Sequence, residues 1–423
     1  MKLWNQDLQL DTLIEQFTVG EDRILDLQLA EFDLRGSIAH ARMLAAVGLL
    51  KKTEANNLVR ELENLLREVA DGNFTIEAEF EDVHSKVEHV LTQRLGEVGK
   101  KIHTARSRND QVLVDLHLFS RAKLDELDGL LRALFDRLLQ LAETHREHLI
   151  PGYTHTQVAM PSSIGLWLSG YAETLLDDRE LLRAARRVAD QNPLGSAAGY
   201  GSSFPIDREL TTELLGFRTT RYSAVGAQLS RGKLELTIAF ALASIGETLA
   251  KLCADAILFM SQNFGFIGLP VELTTGSSIM PHKRNPDVFE IGRARANELR
   301  GLPQRLQLLT GNLTSGYHRD FQELKGPLLH GFARAEELLR VLEFTFRHLE
   351  VRPPVLDQPI YDHLFSVELV NELVLSGRSF RDAYHDVKRR IAAGTYDPPR
   401  TVAHTHVGSI GNLALEQIRA KWT

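Results

Sequence analysis

Apolar positions recur at helical spacing along most of the chain. In the first hundred residues Leu25, Leu29, Phe32 and Gly36 mark one face, and Ala39, Met43, Ala46 and Leu50 continue the stripe. Leu58, Leu62, Leu65, Leu66 and Val69 predict a second amphipathic helix over 56–69, closed by Asp71-Gly72-Asn73. FTIEAEF, 74–80, alternates as a strand would, but it sits between helices without an evident pairing partner and is expected to be a loop. Over 109–148, Leu127, Leu131, Leu134, Phe135, Leu138 and Leu141 predict one long helix, which Pro151-Gly152 ends. Further long helices are expected over 162–190, 230–262, 286–309 and 332–349, with few strand signals between them. The pattern predicts an all-α protein with an elongated helical bundle core over 101–350. Smaller helical domains are expected at 1–100 and 351–423, the latter set off by Pro353-Pro354 and turning at Gly377, Gly394 and Gly408. No internal repeat or low-complexity tract interrupts it.

Composition narrows the picture. A chain of 423 residues has ample apolar surface to bury and suggests two or three domains. With 49 Lys+Arg against 56 Asp+Glu, a net charge of −7 without a basic block argues against nucleic acid or an anionic membrane as partner. Cys253 is the only cysteine, which excludes an intrachain disulfide and a cysteine metal cluster and fits a reducing compartment. The N-terminal MKLWNQDLQLDTL has acids and amides where a signal peptide needs apolar residues, so no export is expected. The most membrane-like stretch, 234–260, has its longest uncharged run at 236–246, short of the roughly 18 residues a span needs. Glu247, Lys251 and Asp255 then recur every fourth residue, as on one stripe of a core helix.

The stretch Thr275–Asp287, TGSSIMPHKRNPD, makes a poor helix and a poor strand, because Gly and Pro break both. It places two hydroxyls beside Lys283, Arg284 and the Asn285 amide. That is a possible proton acceptor next to donors suited to a carboxylate gaining charge, the chemistry of an eliminating lyase. Four other segments are unusually polar. EDVHSKVEH carries Asp82 and His84; a lone histidine is more often structural. HTARSRNDQ, 103–111, holds two arginines at the start of the longest helix, where Ser107 or Asn109 could cap it and free N–H groups favour an anion. The alternative there is a plain cap with an Arg106–Asp110 ion pair. PGYTHTQVAMP presents Thr154, His155, Thr156 and Gln157 on a rigid turn, suiting a histidine that moves protons. GYHRDFQELKGP offers Tyr317, Arg319, Gln322 and Lys325 to a charged substrate, with solvated helix-end charge as its alternative. GSAAGYGSS, 195–203, matches neither dinucleotide nor phosphate-loop spacing and is expected to be a close-packed or mobile loop.

GSSIMPHKRNP resembles the signature loop of the fumarase/aspartase superfamily. Together with HTARSRND, PGYTHTQ, PLGS and RDFQELK, in that order and spacing, the chain resembles the argininosuccinate lyase family from about Phe17 to about residue 387. The resemblance implies a cytoplasmic enzyme of arginine biosynthesis that cleaves argininosuccinate to arginine and fumarate through an aci-carboxylate, with no metal and no organic cofactor. It implies a largely helical homotetramer whose active sites are shared between subunits. By position, Ser277 matches the base, Lys283 and Asn285 the stabilisers of the intermediate, and His155 with Glu290 the acid or proton relay. His84, Ser107, Arg108, Asn109, Thr154, Tyr317, Gln322 and Lys325 match substrate-binding positions. The departures are Ala105 for a usual glycine, MPHKRNP for MPQKKNP, and SAVGAQLSRG at 223–232, which keeps Arg231 and lacks the usual acids. MPHKRNP is closer to adenylosuccinate lyases, the alternative enzyme; a non-catalytic, crystallin-like descendant is the alternative of another kind.

Overall fold

The computed structural model describes residues 11–398 and 400–422; the first ten residues of the N-terminal stretch read above as lacking an export signal lie outside it. Among the described residues ten helices are ten residues or longer: α1 (Ala30–Ala46), α2 (Lys52–Ala70), α3 (Val83–Leu95), α4 (Arg108–Thr144), α5 (Ile164–Ala189), α6 (Lys233–Met260), α7 (Asp287–Leu309), α8 (Lys325–Arg347), α9 (Ser366–Leu375) and α10 (Phe380–Ala393). The fold is all-α, as the periodicity predicts, with FTIEAEF in a loop. Gly377, Gly394 and Gly408 each turn the chain at positive φ, which costs glycine no Cβ clash.

The chain divides into two compact units, one of residues up to Asp128 with Glu180–Ser244 and Glu298–Ala335, the other of Gly129–Arg179, Ile245–Asn297 and the residues from Glu336 on. In the first unit α1, α2 and α3 close over Leu34, Leu44, Leu58, Leu62, Leu65, Val87 and Leu91. Ala46, expected on that apolar face, is exposed. Edge-to-face pairs Phe32–Phe119 and Phe119–Phe332, with centroids 5.7 Å apart in each, join α1, α4 and α8. In the second unit Trp167 packs on Phe259 and Phe289 on Phe346, and Asp255 of α6 accepts hydrogen bonds from Trp167 Nε1 (3.1 Å) and the Tyr171 hydroxyl (2.7 Å). By length and composition α6 could cross a membrane, yet most of its apolar stretch is buried inside the protein, as a core helix requires.

Three boundaries differ from expectation for local reasons. α4 stops at Thr144, and the chain continues as a hairpin, β1 (Leu149–Thr154) with β2 (Gln157–Ser163), where a turn followed by helix is expected. α5 therefore begins at Ile164, its first turn capped by Ser163 Oγ, which accepts the Leu166 N–H at 3.0 Å. α8 begins at Lys325 instead of 332, because Arg319–Leu324 winds as a 3₁₀ turn and runs straight into it.

Candidate functional site

In the first unit, α1 carries a polar stripe, Asp33, Ser37 and His40, on buried positions one helical turn apart. Each grips one of the polar segments. Asp33 Oδ1 lies 2.8 Å from His84 Nδ1, Ser37 Oγ accepts from Arg106 Nη1 at 2.9 Å, and His40 Nε2 bonds the Thr104 carbonyl at 2.8 Å. Arg106 thus reaches Ser37, while the Asp110 carboxylate is occupied by backbone N–H groups. His84 is 5 % exposed, and its other ring nitrogen stands 3.8 Å from Asp115. Burial alone would lower its pKa, but Asp33, Asp82 and Asp115 raise it to about 9. Burial and the Asp33 charge hold Asp115 well above the usual carboxylate range. Asp33, His84 and Asp115 bring one ligand atom each within 4.8 Å of one another, the only such trio among the described residues.

Ser107, Arg108 and Asn109 form the opening of α4. Ser107 Oγ accepts the Asn109 N–H at 3.2 Å, the cap expected of it, and Arg108 Nη1 pairs with Asp82 at 3.2 Å and Glu81 at 3.5 Å. From 319–325, Arg319 donates to Glu81 (2.8 Å) and to the Thr18 carbonyl (2.9 Å), which the Gln322 amide also reaches at 2.9 Å. Lys325, 4 % exposed, lies between Asp22 (2.9 Å) and Asp26, and the two carboxylates raise its pKa against its burial. Tyr317 is 41 % exposed at the edge of this group. Asp22, Thr18, Arg319 and Gln322 line a cavity of about 710 Å³. Arg231, buried, pairs with Glu235 at 3.1 Å and donates to the Phe321 carbonyl at 2.6 Å, fixing the 3₁₀ turn from behind.

In the second unit, His155 and Thr156 are the two loop residues of the β1–β2 hairpin, at φ +53° and +59°. Such a turn favours Asn-Gly; a histidine and a β-branched threonine there are strained, as functional loops often are. Tyr153 and Val158 pack the hairpin onto Tyr361, Leu364 and Phe365, so Thr154 and His155 project from a fixed base. The Thr275–Asp287 loop is clasped at its neck: Asn285 N–H to Thr275 O (2.9 Å), Asn285 Nδ2 to Thr275 Oγ1 and Gly276 O (3.3 Å each), and Thr275 Oγ1 to Asp287. At its tip Ser277 Oγ receives the N–H groups of Met280 (3.1 Å) and Ile279 (3.3 Å). Lys283 is exposed, as are Ile279 (85 %) and Met280 (42 %), an apolar tip turned outward. Glu290 is exposed on the first turn of α7.

His84, Ser107, Arg108, Asn109, Tyr317, Gln322 and Lys325 therefore belong to the first unit. Thr154, His155, Ser277, Lys283, Asn285 and Glu290 belong to the second. Sequence reasoning missed the acids that hold the first group: Asp22, Asp26, Asp33, Glu81 and Asp115. A signal for two of them was present, since Asp33 and Asp115 sit among apolar neighbours at positions where a helix would bury them.

The family model described as "Lyase" matches residues 6–301. Over 419 residues the chain is 54 % identical to the argininosuccinate lyase of Parabacteroides distasonis and 51 % to that of Bacteroides thetaiotaomicron, covering 99 % of this chain and 94 % of each relative. The argininosuccinate lyase of Xylella fastidiosa (strain Temecula1) is 40 % identical over 426 aligned positions. Among solved structures, an EDDS lyase in complex with formate superposes with a TM-score of 0.76 at 19 % identity, over 98 % of this chain and 91 % of that one. The class II fumarase of Schistosoma mansoni gives a TM-score of 0.75 at 17 % identity, over 90 % and 89 %.

Proposed function

Since the chain belongs to the argininosuccinate lyase family of the fumarase/aspartase superfamily, we propose that it cleaves argininosuccinate to arginine and fumarate by β-elimination, with the Thr275–Asp287 loop as its catalytic element. Ser277 removes the Cβ proton of the succinyl moiety, the carbanion delocalises into the neighbouring carboxylate as an aci-carboxylate, and the Cα–N bond breaks as the leaving guanidino nitrogen takes a proton. A serine hydroxyl is a very weak base. What supports the role is the pair of N–H donors from Ile279 and Met280 on Ser277 Oγ, which would lower the cost of its alkoxide. Lys283 and Asn285 stabilise the aci-carboxylate, and His155 with Glu290 delivers the proton. His84, Ser107, Arg108, Asn109, Thr154, Tyr317, Gln322 and Lys325 bind the substrate, with no metal or organic cofactor required.

The same reading includes a cytoplasmic homotetramer with three domains per chain (1–100, 101–350 and 351–423) and active sites shared between subunits. The placing of every substrate-binding residue except Thr154 in one compact unit, and of the eliminating residues in the other, supports sharing. The test is the ultraviolet absorbance of fumarate's conjugated double bond, with argininosuccinate and adenylosuccinate offered separately. Fumarate from argininosuccinate alone is expected; fumarate from adenylosuccinate alone would replace the substrate, and none from either would sink the reading. Ser277→Ala should abolish turnover while the oligomer stays folded, and near-normal activity in it would remove Ser277 from the mechanism.

A further inference from the structure

Asp110 closes the HTARSRND run and is fully buried. Its carboxylate is filled by backbone donors from its own segment and from one distant in sequence. Oδ1 accepts the Ser107 N–H at 2.8 Å, and Oδ2 accepts the N–H groups of Gly195 and Ala197 at 2.9 Å each. Gly195 (φ +85°) and Ala197 (φ +54°) are both in the left-handed region, a turn that points its N–H groups at one spot and so forms a small anion nest. Here the anion is built in. The start of GSAAGYGSS is therefore a packed turn, with the N–H groups of Gly195 and Ala197 taken by the protein itself, while Ala198, Tyr200, Ser202 and Ser203 further along are exposed. The far side of the turn is equally fixed. Arg208 donates to the carbonyls of Leu194 (2.9 Å), Arg221 (2.7 Å) and Tyr222 (2.9 Å), and a Cβ on Gly195 would come within 2.8 Å of Arg208 Cγ.

We propose that Asp110 is a positioning residue for substrate binding: as the internal anion of the Gly195–Ala197 turn, it anchors Ser107 and thereby sets Arg108 and Asn109 where the substrate is received. The inference rests on the substrate-binding role given to those three residues above. Asp110 touches no substrate. It acts by making one rigid platform of the α4 opening and the 193–197 turn, so that the binding groups are held in place before substrate arrives. The charged groups facing it are Arg106 from its own segment and Arg208 from the helix Arg208–Leu214. Burial pushes its carboxyl up to about 6 against the hydrogen bonds from Ser107, Ala197 and Gly195 and the charge of Arg106.

Asp110→Asn keeps the size but leaves one acceptor oxygen, which can serve Ser107 or the turn and not both. The expected result is a KM for argininosuccinate raised about tenfold or more, with kcat within about threefold of wild type. Wild-type KM should also rise as pH falls through about 6, where Asp110 takes up a proton, and this rise should be missing in the variant. A KM within about twofold of wild type, or a pH dependence retained in Asp110→Asn, overturns the proposal. Should that variant not fold, Asp110→Glu keeps the charge but displaces Ser107 by a methylene; the same KM rise is expected, and an unchanged KM overturns the proposal. If the wild type releases no fumarate, it is the functional reading that has failed. Amide hydrogen exchange then decides the clamp: faster exchange at Ser107, Gly195 and Ala197 together in the variant upholds it, and unchanged exchange removes it.

Discussion

Ala105 stands where the motif that HTARSRND resembles has glycine, and from the sequence the change looks small. The backbone makes it larger: Ala105 sits at φ +61°, where a Cβ meets the following carbonyl at a cost of about 1–2 kcal/mol. Ala105→Gly removes that clash but gives the unfolded chain more freedom, so a net gain in stability of about 0.5–1 kcal/mol is expected, read from denaturant midpoints. A lower midpoint would mean that methyl packing against the N-terminal core outweighs the strain. His84 and Asp115 give a second expectation. The folded pKa of His84 is about 9, above its unfolded value of about 6.5, so the stability it contributes is complete below about 6.5 and lost as pH rises through 9. Asp115, also raised, has the same sign, since both hold protons that the unfolded chain has released. His40 and His117, lowered by burial to about 3 and about 4, act on the acid side, where folding excludes protons the unfolded chain binds below about 6.5. The melting temperature should therefore fall between about pH 7 and 9, and His84→Gln should flatten that fall. A wild-type curve already flat over that range would mean that His84 is neutral in the folded protein.

At the scale of elements, the long helices are readable because their apolar stripes run for many turns, and FTIEAEF, which alternates but has no pairing partner, is the loop expected of it. The hairpin was not readable. Its strands carry Pro151 and Pro161, which pair opposite each other, and a bulge follows at Gly152, where any Cβ would lie 2.8 Å from the Met160 carbonyl. Its turn residues, His155 and Thr156, are types that two-residue hairpin loops normally avoid. The polar stripe of α1 was hidden for the opposite reason. Asp33, Ser37 and His40 interrupt an apolar face, and only the fold shows what each one grips. The strained turn carries its own prediction. Thr156→Gly should stabilise the protein by about 1 kcal/mol, because glycine enters the left-handed region without the clash of a β-branched side chain. It should also lower kcat, since His155 loses its rigid neighbour. Higher stability with unchanged kcat would show that the strain has no part in placing His155.

At the scale of the molecule, the sequence located the polar segments but could not say how they would be shared out, because no local pattern records which segments fold into the same compact unit. The residues proposed to bind substrate around Arg108 and those proposed to carry out the elimination around Ser277 fall into different units of one chain. If each active site takes these two groups from different subunits, two inactive variants can restore one another. Arg108→Ala removes a binding group and leaves Ser277 intact; Ser277→Ala does the reverse. Each alone should be nearly inactive. When the two are unfolded together and reassembled in equal amounts, about a quarter of the sites should receive an intact Arg108 from one subunit and an intact Ser277 from another, with activity restored to that order. The Arg108, Ser277 double variant mixed with wild type is the control for loss by dilution. If both residues of a site come from the same chain, no reassembled site is intact and the mixture stays as inactive as its parts, which would place the whole reaction within a single subunit.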